Sequence, residues 1–353
     1  MTSLARRLLG SITLFAGLLG GALAARPATT AGTPLPIEAL SPSLAGATSW
    51  LNSPPLTLDG LHGKVVLVDF WTYSCINCLR TLPYVRAWAR TYASQGLVVI
   101  GVHAPEFEFE HDPGRVGKAL HDQHVDWPVA IDDDFRIWRS FHNQAWPALY
   151  FLDAQGRVRH HQLGEGGYAE AERVIRELLA QSHGDAAALP ATAAVDAQGI
   201  ARAPDFEHVR SPETYLGYAH ADDASAPGVV PDHGRRYVLG RPRLNAWALG
   251  GDWVQRAEYL ESGDSQAAIA LRFHARDLHL VLGGTGQRVP FTITIDGHTP
   301  GPDHGVDVDE QGRGEIVDER LYQLVRQRDA SADHTFEIHF DQAGARAWVF
   351  TFG

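Results

Sequence analysis

The 353-residue sequence holds only two cysteines, Cys75 and Cys78, and a single methionine. With no second cysteine pair, a zinc site of about four ligands is not assembled from thiols. A purely structural bridge between them would close a very small loop and remove little unfolded-chain entropy. Basic tracts are absent and the formal net charge is -12, which argues against nucleic acid as a partner. The 18 histidines are scattered. The adjacent pair His160-His161 has no further ligands near it and reads as solvated strand surface, so no metal is expected. After the first residues, no apolar run is long enough to span a bilayer.

What is present begins at the N-terminus. Arg6 and Arg7 precede an apolar, Gly-rich run from Leu8 to Leu23, and Ala22-Leu23-Ala24 fits a small-residue cleavage rule. Residues 1–24 therefore read as a secretory signal, with an uncleaved anchor as the alternative. The mature chain is expected to be periplasmic or otherwise extracytoplasmic. There, two lone cysteines in one Cys-x-x-Cys are more readily active than decorative.

Residues 25–45, rich in Ala, Pro and Thr, read as a flexible tether. Val65-Val66-Leu67-Val68 reads as a buried parallel strand. The cysteines follow it, and Leu79, Leu82, Val85 and Trp88 then recur at helical spacing. Two cysteines three apart at a helix start lie on one face, close enough to bridge. Cys75 sits where unpaired backbone N–H groups and the helix dipole favour negative charge. Cys78, one turn further in, reads as the buried resolving thiol. Together they form a unit for thiol–disulfide exchange, with no cofactor beyond the Cys75–Cys78 disulfide.

The pattern predicts a helix over 76–94, with Pro83 inside it, and a strand over 97–103. A helix over 113–124, a strand at 128–131 and a helix over 135–141 follow. A hairpin is expected around Ala154-Gln155-Gly156, then an amphipathic helix over 170–181 with Glu172 and Arg176 paired on its outer side. Strands alternating with helices imply an α/β layer structure over residues 46–182. Residues 183–210 lack periodicity and read as a linker. From 211 to 353 the pattern has period two. Ile269, Leu271 and Phe273 show it, as do Phe291, Ile293 and Ile295, and Phe336, Ile338 and Phe340. That is an all-β sandwich of jelly-roll type, like galactose-binding and other carbohydrate-binding modules.

Further motifs carry a resemblance. Asp69-Phe70-Trp71 stands upstream of Cys75, Pro83 follows Cys78, and Trp146-Pro147 precedes the Ala148 strand. In these the first domain resembles thioredoxin, with Pro147 at that family's cis-proline position. The run from Phe70 through Tyr84 and the run Glu106-Phe-Glu-Phe-Glu110 look like the extracytoplasmic part of DipZ-type proteins, relatives of TlpA-like redoxins. The sandwich also looks like theirs, through Ser211-Pro-Glu-Thr-Tyr-Leu-Gly217 and Phe350-Thr-Phe-Gly353. The resemblance implies reduction of protein disulfides, with electrons from a separate membrane transducer of the CcdA or DsbD type. Thr81 stands where TlpA-like reductants often carry Glu.

On this reading Cys75 attacks and Cys78 resolves. Asp69, an acid in an apolar strand, takes the proton of Cys78, since burial raises a carboxyl toward neutrality. Pro147 and Trp146 face the substrate. Trp71 and Tyr73 make an apolar platform around the site and are in part simply packing. Among Glu106, Glu108 and Glu110, Glu106 is favoured to act on the thiols, although Glu/Phe alternation also describes a half-buried strand. Trp247, Trp253 and Tyr259 are candidates to stack on a cell-envelope glycan or else are core. Asp307 to Gly312 reads as a turn. A disulfide-forming oxidase, a thiol peroxidase and a binding protein with a passive redoxin domain are the alternatives.

Overall fold

The computed structural model describes residues 35–39, 42–183, 189–220, 228–328 and 331–353. The expected signal at 1–24 lies outside the described residues, as do residues 25–34, 40 and 41 of the expected tether. Among the described residues, no helix is long and apolar enough to cross a membrane.

The first sheet has six strands. They are β1 (Ser49–Leu51), β2 (Val65–Trp71), β3 (Leu97–His103), β4 (Val129–Ile131), β5 (Ala148–Leu152) and β6 (Val158–Leu163). Their order is β1-β4-β3-β2-β5-β6, with β2, β3 and β4 parallel and the other pairings antiparallel. Every residue of β2 is buried, which explains its unbroken apolar run around Asp69. α1 (Ile76–Tyr92) leaves the end of β2, and Pro83 lies within it. It stops two residues before the expected end, and a short turn closes on Gly96 in a left-handed conformation (φ 92°). α2 (Pro113–Asp122), α3 (Arg136–Ser140) and α4 (Tyr168–His183) complete the layers. Ala171, Val174, Ile175, Leu178 and Leu179 form the buried face of α4, as the spacing predicts. Glu172 differs from expectation. Its carboxylate accepts from Tyr92 Oη at 2.6 Å and from the Thr192 N–H at 2.5 Å, so it anchors the chain leaving the domain.

Residues 36–39, expected within the tether, are ordered against the sheet. Glu38 N–H donates to the Val158 carbonyl, Val158 N–H donates to that of Ala39, and Glu38 pairs with His161 at 2.6 Å.

The second half is all β. Its strands are β7 (Thr214–Tyr215), β8 (Arg235–Tyr237), β9 (Trp247–Gln255), β10 (Leu260–Ser262), β11 (Ala268–His274), β12 (Asp277–Gly284), β13 (Val289–Ile295), β14 (Arg313–Ile316), β15 (Arg320–Arg326), β16 (Asp333–Phe340) and β17 (Ala345–Phe352). The order β14-β13-β16-β11-β9-β10-β17-β12-β15 is antiparallel throughout and curls on itself at β9–β10. The alternating residues Ile269, Leu271, Phe273, Phe291, Ile293, Phe336, Ile338 and Phe340 meet in one core. Trp247 and Trp253 belong to that core, so neither offers a face to a sugar ring. Tyr259 is half-buried against Trp348 and the Arg346 guanidinium. Asp309 accepts from the N–H groups of Gln311 and Arg313, and so caps a turn.

The segment after α4 contacts both halves. Tyr92 Oη lies 2.9 Å from the Pro190 carbonyl, Arg326 donates to that of Gly199, and Arg276 to that of Ala203.

Candidate active site

β2 delivers the chain to the C-terminal edge of the sheet, where it turns through residues 72–75 into α1. Cys75 is the N-cap residue of α1, and its sulfur accepts the Cys78 N–H at 3.3 Å. A sulfur in that position receives a donor that the first helical turn cannot satisfy internally. Both thiols are free; Cys75 is partly exposed and Cys78 is 1% exposed. Burial is the main reason the Cys78 thiol is pushed well above its usual range. Its hydrogen bond with Cys75 and the charges of Cys75 and Asp69 add to this. The two cysteines therefore divide into an accessible and a protected thiol.

Asp69 is 1% exposed, and burial raises its carboxyl from 3.8 to about 7. Among the described residues, its Oδ1 has no hydrogen-bond partner. It lies opposite Gly101 on β3 and Leu149 on β5, between the two strands that flank β2. A carboxyl titrating near neutrality within electrostatic reach of Cys78 has the property required of a proton acceptor.

The Trp146–Pro147 peptide bond is cis. Pro147 is buried and Trp146 half-buried. The Trp146 indole donates to the Ala104 carbonyl at 3.0 Å, and its ring centroid lies 4.4 Å from that of Trp138. Its bulk is thus used to tie this loop to the end of β3.

Trp71 and Tyr73 are corrections to the expected platform. They are 1% and 4% exposed, packed on the ring of buried His103, with Trp71 edge-on and Tyr73 stacked. Both lie on the inner side of the turn, where neighbouring rings cover them.

The Glu/Phe alternation is likewise not a strand. Residues Glu108–His111 form a 3-10 turn, and Glu110 is fully buried. One Glu110 oxygen accepts from Ser74 Oγ–H at 2.7 Å and Ser74 N–H at 3.3 Å. The other accepts from the N–H groups of Glu106 at 2.6 Å and Phe107 at 3.1 Å. Glu110 therefore fixes the residue before Cys75 to the loop after β3. Sequence reasoning favoured Glu106 by proximity and missed this role. The available signal was three acids in a loop leaving a parallel strand at the site edge.

Glu106 is half-buried and takes a hydrogen bond from Tyr215 Oη at 2.6 Å. Burial, and after it the neighbouring Glu110, lift its carboxyl to about 8. Tyr215 belongs to the sandwich. So does Trp348, whose ring stands edge-on to Phe109 at 4.8 Å. Arg80, buried in α1, lies between Glu165 at 3.5 Å and Asp277 of β12 at 3.9 Å. Thr81 donates to the Asn77 carbonyl at 2.9 Å, and its hydroxyl also meets Tyr168 Oη.

A dithiol capping the helix that leaves the central strand, opposite a cis-proline loop, is the arrangement of a thioredoxin-like site. The Redoxin family model matches residues 38–175, and a model described as "Thioredoxin like C-terminal domain" matches 211–353. The chain belongs to the thioredoxin family. It is 33% identical to thiol-disulfide oxidoreductase YkuV of Bacillus subtilis, over 40% of this chain and 95% of that protein. It is 39% identical to Protein DipZ of Mycobacterium bovis over 264 residues, 73% of this chain; that match spans 36% of DipZ's length. A solution structure of a thioredoxin-like protein in the oxidised form is 33% identical over 40% of this chain and 94% of its own, with a TM-score of 0.37.

Proposed function

We propose that the chain is an extracytoplasmic thiol–disulfide oxidoreductase that reduces protein disulfides through Cys75 and Cys78. The observation that carries this is the pairing of an accessible N-cap thiol with a buried one, above a carboxyl that has an unmade hydrogen bond.

The Cys75 thiolate attacks one sulfur of the substrate disulfide. That S–S bond breaks, a mixed disulfide forms, and the departing sulfur takes up a proton. Cys78 then gives its proton to Asp69 and attacks Cys75 Sγ. The mixed disulfide breaks, Cys75–Cys78 forms, and the substrate leaves having gained two electrons. The Trp146-Pro147 loop, next to the end of β2 through the pairing of Phe70 with Ala148, would serve as the rest for an extended substrate segment. A membrane dithiol carrier of the CcdA or DsbD type returns the electrons. Export is supported by the arginine pair and apolar run at residues 6–23.

The oxidising direction is the second reading, and the redox potential separates the two. Values near about -270 mV favour reduction and values near about -120 mV favour oxidation. The assignment of thiols is tested with Cys75→Ser and Cys78→Ser. The first should abolish disulfide reduction and the second should accumulate mixed disulfides. Faster alkylation of Cys78 than of Cys75 in the reduced protein would reverse the roles.

A further inference from the structure

Every residue that the sequence assigns to the chemistry lies between Asp69 and Pro147. The structure brings the sandwich against the loop that holds Cys75 in place. Three sandwich side chains meet consecutive parts of that loop. Tyr215 Oη donates to Glu106 at 2.6 Å, Glu258 accepts from the Glu108 N–H at 3.0 Å, and Trp348 packs on Phe109. The same loop is tied by Glu110 to Ser74, the residue before Cys75.

We propose that Tyr215 is a positioning residue of the redox site, acting through Glu106 to set the negative charge on the loop that holds Cys75 in place. This rests on the reading of Cys75–Cys78 as an exchanging dithiol.

The composition of the contact supports this over simple interdomain adhesion. An adhesive buried carboxylate is ordinarily matched to a cation. The groups that act on Glu106 are Glu110, Glu213 and Glu258, all acids, together with the phenol of Tyr215. Tyr215 in turn is bonded to Glu106 and lies in the field of Glu213 and Cys75, with His220 against its ring at 5.5 Å. The phenol therefore lies within electrostatic reach of the attacking thiol while bonded to a carboxyl that changes charge near neutral pH.

The sign follows from the bond. A phenol donating to a carboxylate favours its ionised form. Without the hydroxyl, Glu106 keeps its proton to higher pH, and the loop that holds Cys75 carries less negative charge at a given pH. Tyr215→Phe should therefore speed alkylation of Cys75 by iodoacetamide around pH 8 by about threefold, the scale of one charge in partly wet surroundings. The effect should fade toward pH 6, where Glu106 is protonated in both forms. Glu106→Gln should act in the same direction, and the double variant should add little to either.

The experiment uses the full chain and reads two quantities. One is the pH profile of Cys75 alkylation, and the other is the dithiol–disulfide equilibrium with glutathione. Superimposable profiles for wild type and Tyr215→Phe would overturn the proposal. So would an equal change in Trp348→Leu, which loosens the contact without touching the hydrogen bond. If Tyr215→Phe fails to fold, Glu106→Gln answers alone, because it leaves the tyrosine ring in place. A wild-type chain that forms no Cys75–Cys78 disulfide with glutathione would instead sink the underlying redox reading.

Discussion

Asp69 and Glu110 are both shut away from solvent; Asp69 lies on the strand that leads to Cys75, and Glu110 is bonded to Ser74, the residue before it. Burial raises both carboxyls. They differ in what surrounds their oxygens. Among the described residues nothing donates to one oxygen of Asp69, whereas Glu110 takes four donors, the hydroxyl and N–H of Ser74 and the N–H groups of Glu106 and Phe107. Protonating Asp69 breaks no bond to its Oδ1. Protonating or replacing Glu110 leaves buried donors unpaired, at roughly 1–3 kcal/mol for each group. Burial alone thus marks neither a proton acceptor nor a structural tie. The count of satisfied hydrogen bonds tells them apart.

The sharpest way to break this contrast is Asp69→Asn. Resolution of the mixed disulfide should slow by about 10²-fold or more while the first attack by Cys75 is nearly unchanged, as single-turnover kinetics with a disulfide peptide would show. The same variant should alter the pH dependence of stability. Folding raises this carboxyl from 3.8 to about 7, so the protonated form is the one the fold favours. Its contribution is full below about pH 4 and is lost as the pH rises through about 7, over a range of about 4 kcal/mol at most. Urea midpoints measured from pH 4 to 8 should therefore fall more steeply in wild type than in Asp69→Asn. Equal slopes and equal resolution rates would remove Asp69 from the mechanism.

Glu110→Gln comes next. It places an NH₂ against donors and should lower stability by about 2–3 kcal/mol, measured by urea unfolding at pH 7. A variant as stable as wild type would mean the four hydrogen bonds do not hold the loop.

Glu165→Gln should have the smallest effect. Glu165 is also raised, to about 7, chiefly by burial, but it faces the Arg80 guanidinium, which keeps Asp277 as a second partner. A loss of about 1 kcal/mol is expected, with the resolution rate unchanged. A slowed resolution would show that this third carboxyl is coupled to the thiols.

The parts of this arrangement legible in the sequence are those written in short-range pattern. The run 65–68, the spacing of Leu79, Leu82, Val85 and Trp88, and the buried face of α4 appear as elements close to where the pattern puts them. The period-two strands of the sandwich also appear. Asp69 was legible because an acid interrupts an apolar strand. Glu110, Arg80 and Tyr215 were not, since their roles depend on partners far along the chain. Ser74 for Glu110, Asp277 for Arg80 and Glu106 for Tyr215 are contacts that no local period encodes. Trp71 and Tyr73 were misjudged for a related reason: an aromatic beside a reactive residue looks the same in sequence whether His103 lies beneath it or water does.

The ordered stretch at residues 36–39 bears on how the molecule behaves at high concentration. β6 is the last strand of its sheet, and an uncovered outer strand is a template for pairing with a neighbouring molecule. Glu38 and Ala39 occupy part of that rim through their two hydrogen bonds with Val158. The segment acts as a selvedge on the sheet. A chain trimmed to begin at residue 45 would keep the dithiol and its carboxyls intact, yet it would present the backbone of Val158 to its neighbours. Its failure would be seen first in light scattering, as self-association, before any loss of chemistry.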